Sequence, residues 1–184
     1  MKLVRRYLTM VGLLLCTLSL ATPLLAQTVR VNIPGAAFAP EGRAKAAIDR
    51  VSGGLRVRGQ AFALVTLRAT LRMPSPAAAD PKLRRLVIHF RTSPNGPSLR
   101  SVELRNGSNV EVRLPTDLRG DYTVREVSTP KEAANAWDWG KSPITVSAQT
   151  VVRLEVQFPG GFDSAVNPGE FFLTTVAVDF PRAK

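Results

Sequence analysis

The sequence predicts an all-β protein, an antiparallel β-sandwich of about nine strands. Three observations carry this reading. Apolar and polar residues alternate in short runs, 13 Gly and 14 Pro punctuate those runs, and almost no stretch has helical spacing. A closed barrel is the alternative arrangement of the same strands.

The first alternation, residues 28–33, sets Val29, Val31 and Ile33 against Arg30 and Asn32, and stops at Pro34-Gly35. Residues 36–54 are the least regular; Ala44 to Val51 could hold one or two helical turns, although Gly42 and Gly53-Gly54 favour a loop. A short strand at 55–58 follows, with Arg56 and Arg58 on one face. The longest candidate, 60–73, opposes Ala63, Val65, Leu67, Ala69, Leu71 and Met73 to Phe62, Leu64, Thr66, Arg68, Thr70 and Arg72, and the first row should face the core. After a Pro/Ala loop, residues 84–91 alternate Leu86, Ile88 and Phe90 with Arg85, Val87, His89 and Arg91. Both tryptophans fall within 135–146, a clean strand spans 152–158, and a Gly/Pro-rich loop covers 159–170. The last strand, 171–180, should place Phe172, Thr174, Val176, Val178 and Phe180 inside.

Residues 99–114 read as a hairpin around Asn106-Gly107, with Val102 and Leu104 on one side and Val110, Val112 and Leu114 on the return. A two-residue loop centred on Asn106-Gly107 would oppose Val102 to Glu111 and mix core with surface. Directly opposed residues share a face, so parity calls for an odd loop. Arg105-Asn106-Gly107 is the expected loop, with Gly107 left-handed and Val102 opposite Val110.

Residues 1–26 have the form of a secretory leader. Lys2, Arg5 and Arg6 precede an apolar run that ends at Ala26, the expected cleavage point. Residues 27–184 then form one domain, and no later run is apolar enough for a membrane helix. Cys16 is the only cysteine, so the domain holds none and its core must stabilise it without disulfides. The formal charge of +11 falls to +8 without the three leader cations. It is unevenly spread: residues 27–100 carry 13 basic and 3 acidic groups, and residues 101–184 carry 9 and 11. Such asymmetry could steer a polyanion or favour self-association, the alternative reading.

The order of Phe62 in a long strand, a Pro-bounded loop, Val87 to Phe90, Ser101-Val-Glu-Leu-Arg-Asn-Gly107, Gly120-Asp121, Asn135-Ala136-Trp137, 152–158 and Asp179-Phe180 resembles an uncharacterised family of small all-β domains. The resemblance spans roughly residues 58–180. It implies the sandwich and no chemistry.

Catalytic material is thin. His89 is the only histidine, and with no cysteine in the domain the common zinc sites and Cys-His or Ser-His triads are limited or excluded. Asp117, Asp121, Asp138 and Asp163 could serve a glycan-active enzyme, but no spacing selects a pair. Asp163, Asn167 and Glu170 match no calcium-loop pattern, so no metal or other cofactor is expected. Arg119-Gly120-Asp121 spells an adhesion tripeptide on a turn. Two binding features remain. Trp137 and Trp139 would face the same way as a platform for sugar rings, with Asn135 and Asp138 beside them. Arg56, Arg58, Arg68, Arg72, Arg85 and Arg91 all fall on the polar sides of strands and would merge into one positive face. Few aromatics interleave with them, which disfavours nucleic acid. The expectation is an exported, non-catalytic module for an anionic polysaccharide or other glycan of the cell envelope.

Overall fold

A computed structural model describes residues 28–43, 45–75, 81–123, 135–139, 142–160 and 168–183. The expected leader, Asp163 and Asn167 lie outside them. The strands are β1 Thr28–Pro34, β2 Ala39–Pro40, β3 Ala46–Val51, β4 Gly54–Gly59, β5 Leu64–Thr70, β6 Lys82–Leu83, β7 Arg85–Thr92, β8 Ser98–Asn106, β9 Asn109–Leu118, β10 Ala136–Asp138, β11 Ile144–Thr145, β12 Thr150–Gln157 and β13 Phe171–Pro181. They form a five-stranded sheet β2-β5-β12-β8-β9 and a six-stranded sheet β10-β7-β13-β4-β3, in which β1 also pairs with β13; β11 pairs with β6 in a small ribbon. Neither large sheet closes into a barrel, and their inner faces share one core, so the fold is an antiparallel β-sandwich. No helix among the described residues is long and apolar enough to cross a membrane.

Alternation dictates which residues fill that core. Val65, Leu67 and Ala69 of β5, Val152, Leu154 and Val156 of β12, and Val102 and Leu104 of β8 come from one sheet. Leu55 and Val57 of β4, Leu86, Ile88 and Phe90 of β7, and Phe171, Leu173, Val176, Val178 and Phe180 of β13 come from the other. Phe90 stacks on Phe171 with ring centroids 5.2 Å apart. Burying such rings supplies the stabilisation that disulfides do not, at roughly 25 cal/mol per Å² of apolar surface.

Strand β13 departs from the expected phase. A bulge at Thr174 interrupts its pairing with β7 between Leu173 and Thr175. One inserted residue reverses the alternation, so Phe171 and Leu173 point inward before it, and Val176, Val178 and Phe180 after it. Phe172 and Thr174 therefore lie off the core, a correction to the inner row expected for this strand. Here the far edge of β13 also changes partner, from β4 opposite residues 171–173 to β1 opposite 175–181. Gly35 and Gly54 close in on the same point: a Cβ at either would collide with the Leu173 carbonyl oxygen.

Three other expectations change. Ala46–Val51 is strand β3, paired along its whole length with β4, instead of helical turns. The long strand shortens to Leu64–Thr70, because residues 61 and 62 form a turn. In the β8–β9 hairpin Asn106 pairs with Asn109, so the loop is the two residues Gly107-Ser108, with Gly107 at φ +60°. Parity is met further out, where Glu111 is an extra residue between the Arg105–Val110 and Leu104–Val112 pairs, and Val102 faces Leu114 rather than Val110.

Gly54→Ala must push on backbone, and we expect a loss of about 3 kcal/mol, or roughly 10 °C in Tm. Gly107→Ala meets no neighbour within 4 Å and should lose only the conformational preference, about 1 kcal/mol, on the same thermal melts.

Candidate binding site

The tryptophans do not make an open platform. Trp137 pairs with Leu86 and shares its inward side; both Trp137 and Trp139 are partly buried and pack against the core. The Trp139 backbone N–H donates to the Arg84 carbonyl at 2.8 Å. Asn135 is buried and clamps β10 to β7, donating from Nδ2 to the Ile88 carbonyl at 2.7 Å and accepting the Ile88 N–H at its own carbonyl at 3.0 Å. Asp138 is exposed and stands opposite Arg85.

The six arginines do not merge into one face. Arg68 is on β5 and Arg72 just beyond it, both exposed, whereas Arg56, Arg58, Arg85 and Arg91 belong to the six-stranded sheet. Register places acidic partners beside most of the latter group. One outward row reads Arg30, Asp179, Arg85, Asp138, with Arg30 gripping Asp179 at 2.6 and 2.8 Å. Arg58 pairs with Asp49, and Arg56 Nε lies 3.1 Å from Glu170.

A second outward row reads Asp49, Arg56, Phe172, Arg91, Asp121. Arg91 lies over the Phe172 ring, 4.9 Å from its centroid, a cation–π contact that the bulge-shifted phase of β13 makes available. Among the described residues its guanidinium makes no hydrogen bond or salt bridge, and its attraction to Asp121 acts at longer range. Beside it is a cleft of about 250 Å³ lined by Arg91, Thr92, Ser93, Glu170 and Phe172. Thr92 Oγ1 accepts the Gly120 N–H at 2.9 Å and Ser93 Oγ accepts the Glu170 N–H at 2.8 Å, which fixes both hydroxyls and leaves their protons to donate. The cleft thus offers a guanidinium fork, two hydroxyl donors and an aromatic wall, with the Glu170 carboxylate held against Arg56. Asp121, the carboxylate of the adhesion tripeptide, accepts from the Thr123 N–H at 2.9 Å and from its hydroxyl, and these bonds hold its pKa below the usual aspartate range. His89 is partly buried opposite Thr175, and no group of three metal-ligating side chains occurs among the described residues.

Two features escaped the sequence reading. On the outer face of the five-stranded sheet, Arg153 bonds Glu41 at 2.7 Å and Glu103 and Glu155 at 2.9 Å, while Arg113 reaches Glu103 at 3.2 Å. Glu103 is 3% exposed, although its alternation reads as surface. The other is Phe62, which holds φ at +61° and is 74% exposed. For a bulky residue that backbone costs about 1–2 kcal/mol.

The Arg153 hydrogen bond holds the Glu41 carboxyl below its ordinary value near 4.5, against an opposing effect of partial burial. A depressed carboxylate stabilises the fold above its unfolded pKa and loses that contribution as pH falls through the folded one. Glu41→Gln should therefore flatten the decline in Tm between neutral pH and the region below 4.5. Arg153→Met leaves Glu103 and Glu155 with only the more exposed Arg113 as counter-ion, and we expect a loss of about 2–3 kcal/mol in denaturant titrations.

No protein-family model matches the chain, and no curated protein matches it in sequence. The resemblance to an uncharacterised family thus holds only as far as a small β-sandwich domain. Among solved structures, the chain is similar to CBM29_1, a family 29 carbohydrate-binding module from Piromyces equi, at 8% identity and TM-score 0.39, covering 84% of this chain and 91% of that one. It is also similar to TmCBM61 in complex with β-1,4-galactotriose, at 10% identity and TM-score 0.41 over 77% and 85%. A third is the module CBM36 in complex with calcium and xylotriose, at 9% identity and TM-score 0.37 over 80% and 98%. At such identities and scores these likenesses say nothing about what this chain binds.

Proposed function

We propose that the chain is an exported, non-catalytic module that binds an anionic glycan of the cell envelope. One observation carries the reading: Arg91, stacked on Phe172, keeps its donor fork unspent among the described residues at the lip of the cleft. Arg56 and Arg58 on the same sheet are ion-paired with Glu170 and Asp49, and Arg85 stands between Asp179 and Asp138, whereas Arg91 meets Asp121 only at longer range, which leaves its guanidinium placed to take a carboxylate or sulfate from outside. Ring stacking holds the guanidinium in place, which reduces the ordering cost of binding. The Thr92 and Ser93 hydroxyls would donate to ring oxygens or hydroxyls of the same sugar. The leader-like residues 1–26 support export to the compartment where such polymers occur.

The self-association alternative drew on the contrast between a basic and an acidic half. Those halves meet inside one molecule, in Arg30–Asp179, Arg56–Glu170 and Arg100–Asp117. Part of the contrast is therefore satisfied within the fold.

Binding to immobilised heparin and to alginate tests the reading. We expect affinity to fall steeply as NaCl rises from about 50 to 500 mM, and Arg91→Ala to weaken binding about tenfold or more with unchanged Tm. Binding insensitive to both salt and Arg91→Ala would refute it. Export predicts a mature N-terminus at Gln27, readable by mass spectrometry of the secreted protein.

A further inference from the structure

We infer that Phe62 is a second ligand contact, a stacking platform for the apolar face of a neutral pyranose ring. The inference rests on the reading of the chain as a glycan-binding module and adds a ligand class and a site to it. Phe62 lies in the 60–63 connection between β4 and β5. That connection is at the same end of the sandwich as the 93–97 connection and the start of β13, so the platform and the Arg91 cleft share one loop cluster.

Burial does not explain the conformation of Phe62. Its left-handed backbone is fixed by a turn in which the Phe62 N–H donates to the Pro159 carbonyl at 3.2 Å and the Ala63 N–H to the Gln60 carbonyl at 3.1 Å. The ring lies directly against the Gly160 backbone, where a Cβ would collide with three of its carbons. With one face laid on glycine and 74% of the residue exposed, the other face is open to solvent. A strained, unburied aromatic held flat by a glycine is a structure that presents a ring.

The size of the patch selects the occupant. Among the described residues, only Leu64, 53% exposed, adds large apolar surface beside Phe62; Val110, the third such residue described, is at the far end of the sheet beside the hairpin turn. One aromatic and one leucine fall well short of the roughly 800 Å² per partner of a stable protein interface, but match one face of a sugar ring. Polar groups complete the surroundings. Gln157 pairs with Leu64 across the sheet and donates from Nε2 to the Ala63 and Phe158 carbonyls at 3.3 and 3.0 Å, which fixes the amide and leaves Oε1 to accept. Neutral sugars fit this end of the cluster because stacking through C–H faces needs no charge, and no arginine contact to Phe62 is present among the described residues.

The test is a ¹⁵N NMR titration with neutral xylo-, gluco-, galacto- and mannotriose, following the Gly160 amide, alongside heparin and alginate binding. At least one triose should shift Gly160, which sits beneath the ring. Phe62→Ala should abolish that shift and weaken triose binding at least tenfold, with Phe62→Tyr restoring it. Gly160→Ala, which displaces the ring without altering its chemistry, should act like Phe62→Ala; Tm reports whether each variant is folded. If heparin or alginate binds as proposed but no triose shifts Gly160, or Phe62→Ala binds trioses like wild type, the platform is overturned and the anionic reading stands. If neither acidic polymer nor any triose binds the wild-type chain, both are overturned.

Discussion

The six-stranded sheet depends on the phase of β13. That strand lies at its centre, with β7 on one edge and β4 then β1 on the other, and the extra residue at Thr174 decides which of its side chains enter the core. Gly35 and Gly54 close on the Leu173 carbonyl at the same point, where a side chain at either would collide with it. A β13 without the bulge could keep Val176, Val178 and Phe180 inside only by turning Phe172 and Thr174 inward and Phe171 and Leu173 out. Instead Phe171 stacks with Phe90 in the core and Phe172 stands outside as the surface on which Arg91 rests. The packing constraint and the candidate site therefore have one origin.

Charge is handled differently on the two outer faces. On the six-stranded sheet, register alone interleaves arginines and carboxylates across strands, as in the Arg30–Asp179–Arg85–Asp138 row. On the five-stranded sheet, convergence on a single residue does the work: Arg153 bridges strands β12 and β8 and the segment after β2 through Glu155, Glu103 and Glu41. Partly buried ion pairs of this kind gain little net stability over apolar packing, yet losing one member is costly because the others stay desolvated. They act more to specify which strands neighbour each other than to raise overall stability.

Most strands were legible in the sequence because alternation survives wherever pairing is regular, as in 152–158 and 84–91. Bulges were not, since an extra residue carries no composition signal: Thr174 reversed the end of one strand, and Glu111 supplied the parity that the hairpin loop was expected to provide. Gly107 was read correctly as left-handed, while Phe62, an unlikely residue for that conformation, was read as part of a strand. The arginine row failed for a topological reason. Successive strands such as β4 and β5 lie in opposite sheets, so Arg58 and Arg68, close in sequence, share no surface. The tryptophans show the limit of spacing: it placed Trp137 and Trp139 on the same side, and only tertiary packing shows that side to be the core's edge.

The carboxylates and guanidinium joined at the middle of the five-stranded sheet bear on behaviour at high concentration. A broad, flat β-surface covered by apolar side chains invites a second molecule to lie on it, and layered association of that kind is how sheet proteins precipitate. Here another sheet would have to strip water from Arg113 and from the partly exposed side chains of Glu41 and Arg153. The face can stay open without being adhesive.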